Sequence, residues 1–250
     1  MSDALAVARA LSALHNGVCI PDYEKLLTQA YYRFLWTIPP QELVIVDVGA
    51  HAGVHLEHFV RFASNKGKVI AFEPLPSLAS GLRVRFDQSN VDVREIALGR
   101  EAGFASFQRN CDIPGESGLR QRATHVPVSF ETVRVAVDTF DRQAADLERL
   151  SYIKIDVEGG DIDCLLGARN ALMRLRPFVS VEYGAPGYSV YGHTASTLFE
   201  LARDLNYVPS DLFGNLIETE SEWIRICDLS YWDYFLVPAE RIDDWKTCFR

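Results

Sequence analysis

Two hydrophobic rhythms run along this chain. From Tyr23 to Trp36, apolar residues recur at helical spacing through Leu26, Leu27, Ala30 and Phe34. Ile38-Pro39-Pro40 stops that helix, because proline lacks an amide donor and restrains the residue before it. The start of the chain is mildly amphipathic as well, so residues 1–40 read as a helical extension. From Leu43 the rhythm changes. Leu43–Val48 is apolar apart from Asp47, as expected for a strand buried on both faces of a parallel sheet. Val54–Ser64 then reads as a helix, Lys68–Phe72 as a strand, Leu78–Phe86 as a helix and Val91–Ile96 as a strand. The alternation returns with a strand at Tyr152–Val157, a helix at Ile162–Leu175, a strand at Phe178–Tyr183, a helix at Ser196–Leu205 and a strand at Tyr231–Val237. Tyr207–Leu216 supplies one more strand. The pattern predicts an α/β fold with a doubly wound, mostly parallel sheet over residues 41–250.

The middle is less regular. Phe104–Gln108 and Thr132–Val137 read as extra strands. Between them, residues 110–125 are polar and rich in Gly and Arg, too long for a routine connection, and read as either a lid or a mobile loop.

Composition narrows the classes of function. The chain is 250 residues long and 48% hydrophobic, so it can bury a core without metals or disulfides. No run of 18 apolar residues appears, so no membrane span is expected. A net charge of -9 argues against nucleic acid as the main partner, since phosphate binding needs a basic face. Cys19, Cys111, Cys164, Cys227 and Cys248 form no C-x-x-C pair and read as free thiols. With no secretory signal visible, the expected location is cytoplasmic.

Two segments carry chemistry. The first is Asp47-Val48-Gly49-Ala50-His51-Ala52-Gly53, between a strand and a helix. Gly49 permits a sharp turn, and Gly53 permits a ligand or the sheet to approach the helix start, whose free N–H groups face the site. Glu73 ends the next strand, followed by Pro74, and a carboxylate there suits the two hydroxyls of a ribose. The spacing is G-x-x-x-G rather than the dinucleotide G-x-G-x-x-G. Asp47 would repel a pyrophosphate and attract a cation, which favours S-adenosyl-L-methionine over NAD.

The second segment is Lys154-Ile155-Asp156-Val157-Glu158-Gly159-Gly160-Asp161. Its charges crowd the C-terminal end of an apolar strand, where ligands bind in open α/β sheets. Alternation would put Lys154, Asp156 and Glu158 on one side. They form either a salt-bridged network or a site where Asp156 or Glu158 takes a substrate proton or holds a cation such as Mg²⁺, with Glu182 joining. Gly184–His193 is a surface loop or an acceptor-binding loop, in which His193 is a candidate general base. His51, His55 and His58 are not read as a metal cluster. Trp223, Trp232, Tyr231 and Tyr234 are assigned to the core or to a homo-oligomer contact.

Taken in order, Val46–Ala50, Ala71–Pro74, Ile96–Gly99, Ile153–Gly159 and Leu166–Ala168 resemble the FkbM family of S-adenosylmethionine-dependent methyltransferases. The resemblance covers about residues 43 to 185. It implies a class I methyltransferase (Rossmann-like) fold and O-methylation of a hydroxyl on a sugar or natural product in secondary metabolism. It places Asp47, Gly49, Ala50, His51 and Gly53 at the methionine end, Glu73 and Pro74 at the ribose, and Ile96 and Ala97 near the adenine. Asp156 and Glu158 would line the methyl-transfer site, with Lys154 paired to a carboxylate. His51 stands where the family often has Asn, and Asp161 where it usually has Glu. The partner class is a small-molecule or glycan acceptor. The alternatives are an NAD-dependent oxidoreductase and a non-catalytic nucleoside-binding module.

Overall fold

Strand β1 (Val44–Val48) sits mid-sheet, hydrogen-bonded in parallel register to β2 (Lys68–Phe72) on one side and β7 (Tyr152–Ile155) on the other. This is the burial on both faces that its near-continuous apolar run demands. The computed structural model describes residues 3–17, 21–121 and 127–250. The remaining strands are β3 (Val91–Arg94), β4 (Ala97–Leu98), β5 (Gly103–Asn110), β6 (Phe130–Asp138), β8 (Phe178–Glu182), β9 (Tyr207–Ser210) and β10 (Asp233–Pro238). Seven of them form one sheet in the order β3-β2-β1-β7-β8-β10-β9. Only β10 runs antiparallel to its neighbours, β8 and β9. The other three form a small sheet, β4-β6-β5.

Side chains alternate between the two faces of the large sheet. Val46, Val48, Ile153, Ile155, Val179 and Val181 pack with the helices Asp3–Asn16, Asp161–Gly167, Arg169–Leu175, Ala195–Asp204 and Glu220–Ile226. Ile45, Val69, Tyr152, Phe178 and Phe235 pack with the helices Tyr23–Leu35, Val54–Ala63, Pro76–Arg85 and Ile242–Cys248. The helix Tyr23–Leu35 carries the stripe seen in the sequence, and its Tyr31 and Phe34 lie against Tyr152, Phe178 and Trp245. By the same alternation, Asp47, Lys154, Glu182 and Asp233 fall on this second face, at its ligand-binding end.

Several boundaries differ from the sequence reading. The third strand stops at Arg94, so Ile96 lies in the link to the small sheet. The strand from Tyr152 stops at Ile155, because the chain turns left-handed at Glu158 (φ 56°) and Gly159 (φ 94°). The helix read as Ile162–Leu175 is two helices broken at Ala168. A Cβ on Gly167 would lie 2.0 Å from the Gly99 carbonyl oxygen, so the small sheet's backbone abuts this break. The strand read as Tyr207–Leu216 is a tight hairpin. Asp211 accepts the amides of Phe213 and Asn215, and the chain returns to bridge Ser210 with Leu216. Trp223, Tyr231 and Tyr234 are buried in the core of the chain itself. No helix among the described residues is long and apolar enough to cross a membrane.

Candidate functional site

A cavity of about 290 Å³ opens at the C-terminal ends of β1, β2 and β7. The turn after β1 builds its floor. Gly49 has φ +81°, and a Cβ there would lie 1.9 Å from the Asp156 carbonyl oxygen. Only glycine lets the ends of β1 and β7 meet this closely. Asp47, Gly49, Ala50 and His51 all line the cavity. Gly53 does not. It has φ +81°, and a Cβ there would meet Leu82 and Phe86 at 2.7 and 2.9 Å. Its small size therefore serves packing of the helix Pro76–Arg85, and the ligand approach expected at Gly53 is not what the structure shows.

Asp47 is 1% exposed, and neither carboxylate oxygen has a hydrogen-bond partner among the described residues. Burial pushes its carboxyl above the usual range, while the nearby Lys154 charge opposes that. A buried carboxylate left this way costs free energy unless something pairs with it. Glu73, 4% exposed, accepts the amides of His51 and Leu75, each at 2.9 Å. Burial raises its carboxyl to about 7 against those two hydrogen bonds. Beyond it, Phe72, Pro74, Leu75, Ile96, Ala97 and Phe107 make an apolar slot.

Lys154, Asp156 and Glu158 line the opposite wall. Lys154 donates to Asp156 at 2.8 Å. Burial works against the lysine charge, but Asp156 and Asp47 hold it above the ordinary range. Asp161 stays outside the lining and closes the turn, accepting the amides of Val157 at 3.2 Å and Gly159 at 3.0 Å. That gives the short carboxylate a defined contact. Asp156, Glu158 and Glu182 bring their oxygens within 4.8 Å of one another.

Pro114, Gly115, Ser117 and Leu119, from the segment read as a lid, also line the cavity. Gln108 and Gly118 exchange backbone hydrogen bonds at 2.7 and 3.2 Å, folding this segment back on β5. A Cβ on Gly118 would sit 3.3 Å from that of Glu158, so the segment lies directly on the second turn. Residues 122–125 of the lid reading, like Cys19, lie outside the described residues. Cys111, Cys164, Cys227 and Cys248 are free thiols. His193 is half-buried on its loop and does not line the cavity, which removes the geometric basis for its role as base.

Two titratable lining residues escaped the sequence reading as site residues. Glu24, on the helix Tyr23–Leu35, contacts Nε2 of His55 at 2.7 Å. The other ring nitrogen of His55 lies 3.1 Å from the Tyr31 hydroxyl. His58 lies with its Nδ1 2.7 Å from the Tyr32 hydroxyl.

The residues fit S-adenosylmethionine. The apolar slot suits adenine, Glu73 suits a ribose, and the unpartnered Asp47 suits an ammonium or sulfonium. A nucleoside site of this kind, on this sheet order, defines a class I methyltransferase fold. Residues 47–209 match the methyltransferase FkbM domain, and the chain belongs to that family. It is similar to the hexuronic acid methyltransferase AglP of Haloferax volcanii, 27% identical over 161 residues, covering 63% of this chain and 62% of that one. It also resembles the 2-O-methyltransferase NoeI of Sinorhizobium fredii, 27% identical over 161 residues, covering 56% of this chain and 63% of that one. The chain thus spans less than two thirds of the length of these relatives. A solved FkbM methyltransferase from Methylobacillus flagellatus is 16% identical, with TM-score 0.47, covering 92% of this chain and 57% of that one.

Proposed function

We propose that this protein transfers a methyl group from S-adenosylmethionine to a hydroxyl of a sugar or similar small acceptor. The observation that carries the reading is Asp47, a buried carboxylate without a hydrogen-bond partner, on the glycine turn that faces Glu73. The relative named as a hexuronic acid methyltransferase supports a sugar acceptor. The donor supplies a methyl on a positively charged sulfur. Asp47 would hold the methionine end and Glu73 the ribose, while Ile96 and Ala97 flank the adenine. The chain's main contribution is alignment of the acceptor oxygen with the methyl. Glu158 is assigned the acceptor's proton, because Asp156 is paired to Lys154. The lid segment over Glu158 keeps water from the reacting atoms.

Calorimetric titration with S-adenosylhomocysteine tests the donor. A charge-assisted hydrogen bond contributes about 1.5–3 kcal/mol. Glu73→Ala is therefore expected to weaken binding by roughly tenfold to more than a hundredfold. No binding by folded wild-type protein would sink the reading and return NAD to consideration. Donor binding without labelled-methyl transfer to any sugar hydroxyl would leave a nucleoside-binding module instead.

A further inference from the structure

The helix Tyr23–Leu35 precedes the matched family domain, yet it reaches the cavity. Register sets up the encounter. Asp47 and Lys154 are paired residues on adjacent strands, and both project to the face that this helix covers. The helix Val54–Ala63 covers the same face and presents His55, which is 7% exposed. Glu24 sits in the first turn of its helix and meets His55 above this row.

The charges here do not balance. Asp47, Asp156 and Glu24 are three carboxylates. Lys154 and His55 are the side chains that face them with positive charge, even if His55 is counted as fully cationic. Lys154 is taken by Asp156 and His55 by Glu24, so Asp47 has none. Glu182 and Asp233 lie on the neighbouring strands of the same face, where burial pushes the Asp233 carboxyl well above the usual range. The end of the cavity lined by Glu24 and Asp47 is short of a cation. An exposed ion pair serving only to hold a helix would gain little. This one is anchored on a buried imidazole whose other nitrogen is also engaged by Tyr31.

We infer that Glu24 is part of the donor site, a second carboxylate beside Asp47 for the cationic methionine end, with His55 and Tyr31 as the residues that position it. The inference rests on the donor reading above and extends the site into the helix Tyr23–Leu35. Glu24 then selects for donors that carry an amino-acid head, and Glu73 for the nucleoside.

The test compares two ligands on the full chain. S-Adenosylmethionine carries the amino-acid head, and 5′-methylthioadenosine keeps the nucleoside and lacks it. Glu24 is more than half exposed, so Glu24→Gln is expected to fold with unchanged Tm. It is expected to weaken S-adenosylmethionine by about tenfold while 5′-methylthioadenosine stays within about twofold. Glu24→Asp should recover part of the loss. Equal losses for both ligands, or no loss for either, would overturn the inference. Wild-type protein that binds neither ligand would overturn the donor reading itself, and this inference with it.

Discussion

The turns that follow β1 and β7 are neighbours, yet they handle charge in opposite ways. The turn after β1 uses left-handed Gly49, His51 and Gly53, and it leaves its buried Asp47 without a partner. The turn after β7 is left-handed at Glu158 and Gly159, and it holds Asp156 and Asp161 internally. Lys154 takes Asp156, and the amides of Val157 and Gly159 take Asp161. A turn completed by its own protein can keep its shape while a substrate comes and goes. A turn with an unpartnered buried carboxylate is the one proposed above to be completed by the donor. In the proposed function, the first turn binds the donor and the second turn serves the acceptor.

The largest effect comes from pushing the two turns apart. Gly49→Ala would set a Cβ 1.9 Å from the Asp156 carbonyl oxygen, at a φ that disfavours a side chain. The expected cost is about 2–4 kcal/mol, a fall in Tm of roughly 5–15 °C. An unchanged melting curve would show that the turns do not lean on each other.

Next in size is the pH response of the first turn. With its carboxyl raised to about 7, Glu73 is protonated below that pH and cannot accept two ribose hydroxyls. Affinity for 5′-methylthioadenosine should climb with pH, by at most about tenfold per unit, and level off above 7. Glu73→Gln should flatten the profile, and a flat wild-type profile would place ribose recognition elsewhere. Without ligand the sign reverses. Between the ordinary carboxylate range and about 7, the folded state holds the Glu73 proton more tightly than the unfolded state. Its contribution to stability is therefore lost as pH rises through that window.

The smallest change in stability is expected at the second turn. Glu158 is a non-glycine residue at φ 56°, which costs about 1–2 kcal/mol. Glu158→Gly removes that strain but adds unfolded-state entropy, leaving a net gain of about 0.5–1 kcal/mol. Turnover should fall about a hundredfold or more at the same time. Stability and activity moving together would remove Glu158 from the reaction.

The parts of this fold written in consecutive residues were legible. The run Leu43–Val48, the glycines after it, and Glu73 at the end of the next strand each signal their place locally. The charged segment after Ile153 announced chemistry, but its geometry depends on left-handed residues that alternation does not foresee. Gly53 looked like ligand space and is helix-packing space, since its neighbours Leu82 and Phe86 lie on another element. Glu24 and His55 carried no signal, because a pair on two helices meets only after both pack on the sheet. His193, attractive by its chemistry, lies away from the cavity for the same reason: loop composition does not fix direction.

Phe34 and Trp245 lie 5.5 Å apart between ring centroids, although they are separated by nearly the whole sequence. During synthesis the helix Tyr23–Leu35 emerges with Phe34 uncovered, and its tryptophan partner is translated much later. At about 5–20 residues per second, this oily stripe stays without that lid for on the order of ten seconds or more. Long-range closure of this kind is slow. The ribosome therefore delivers the helix Tyr23–Leu35 long before the ring that closes over Phe34.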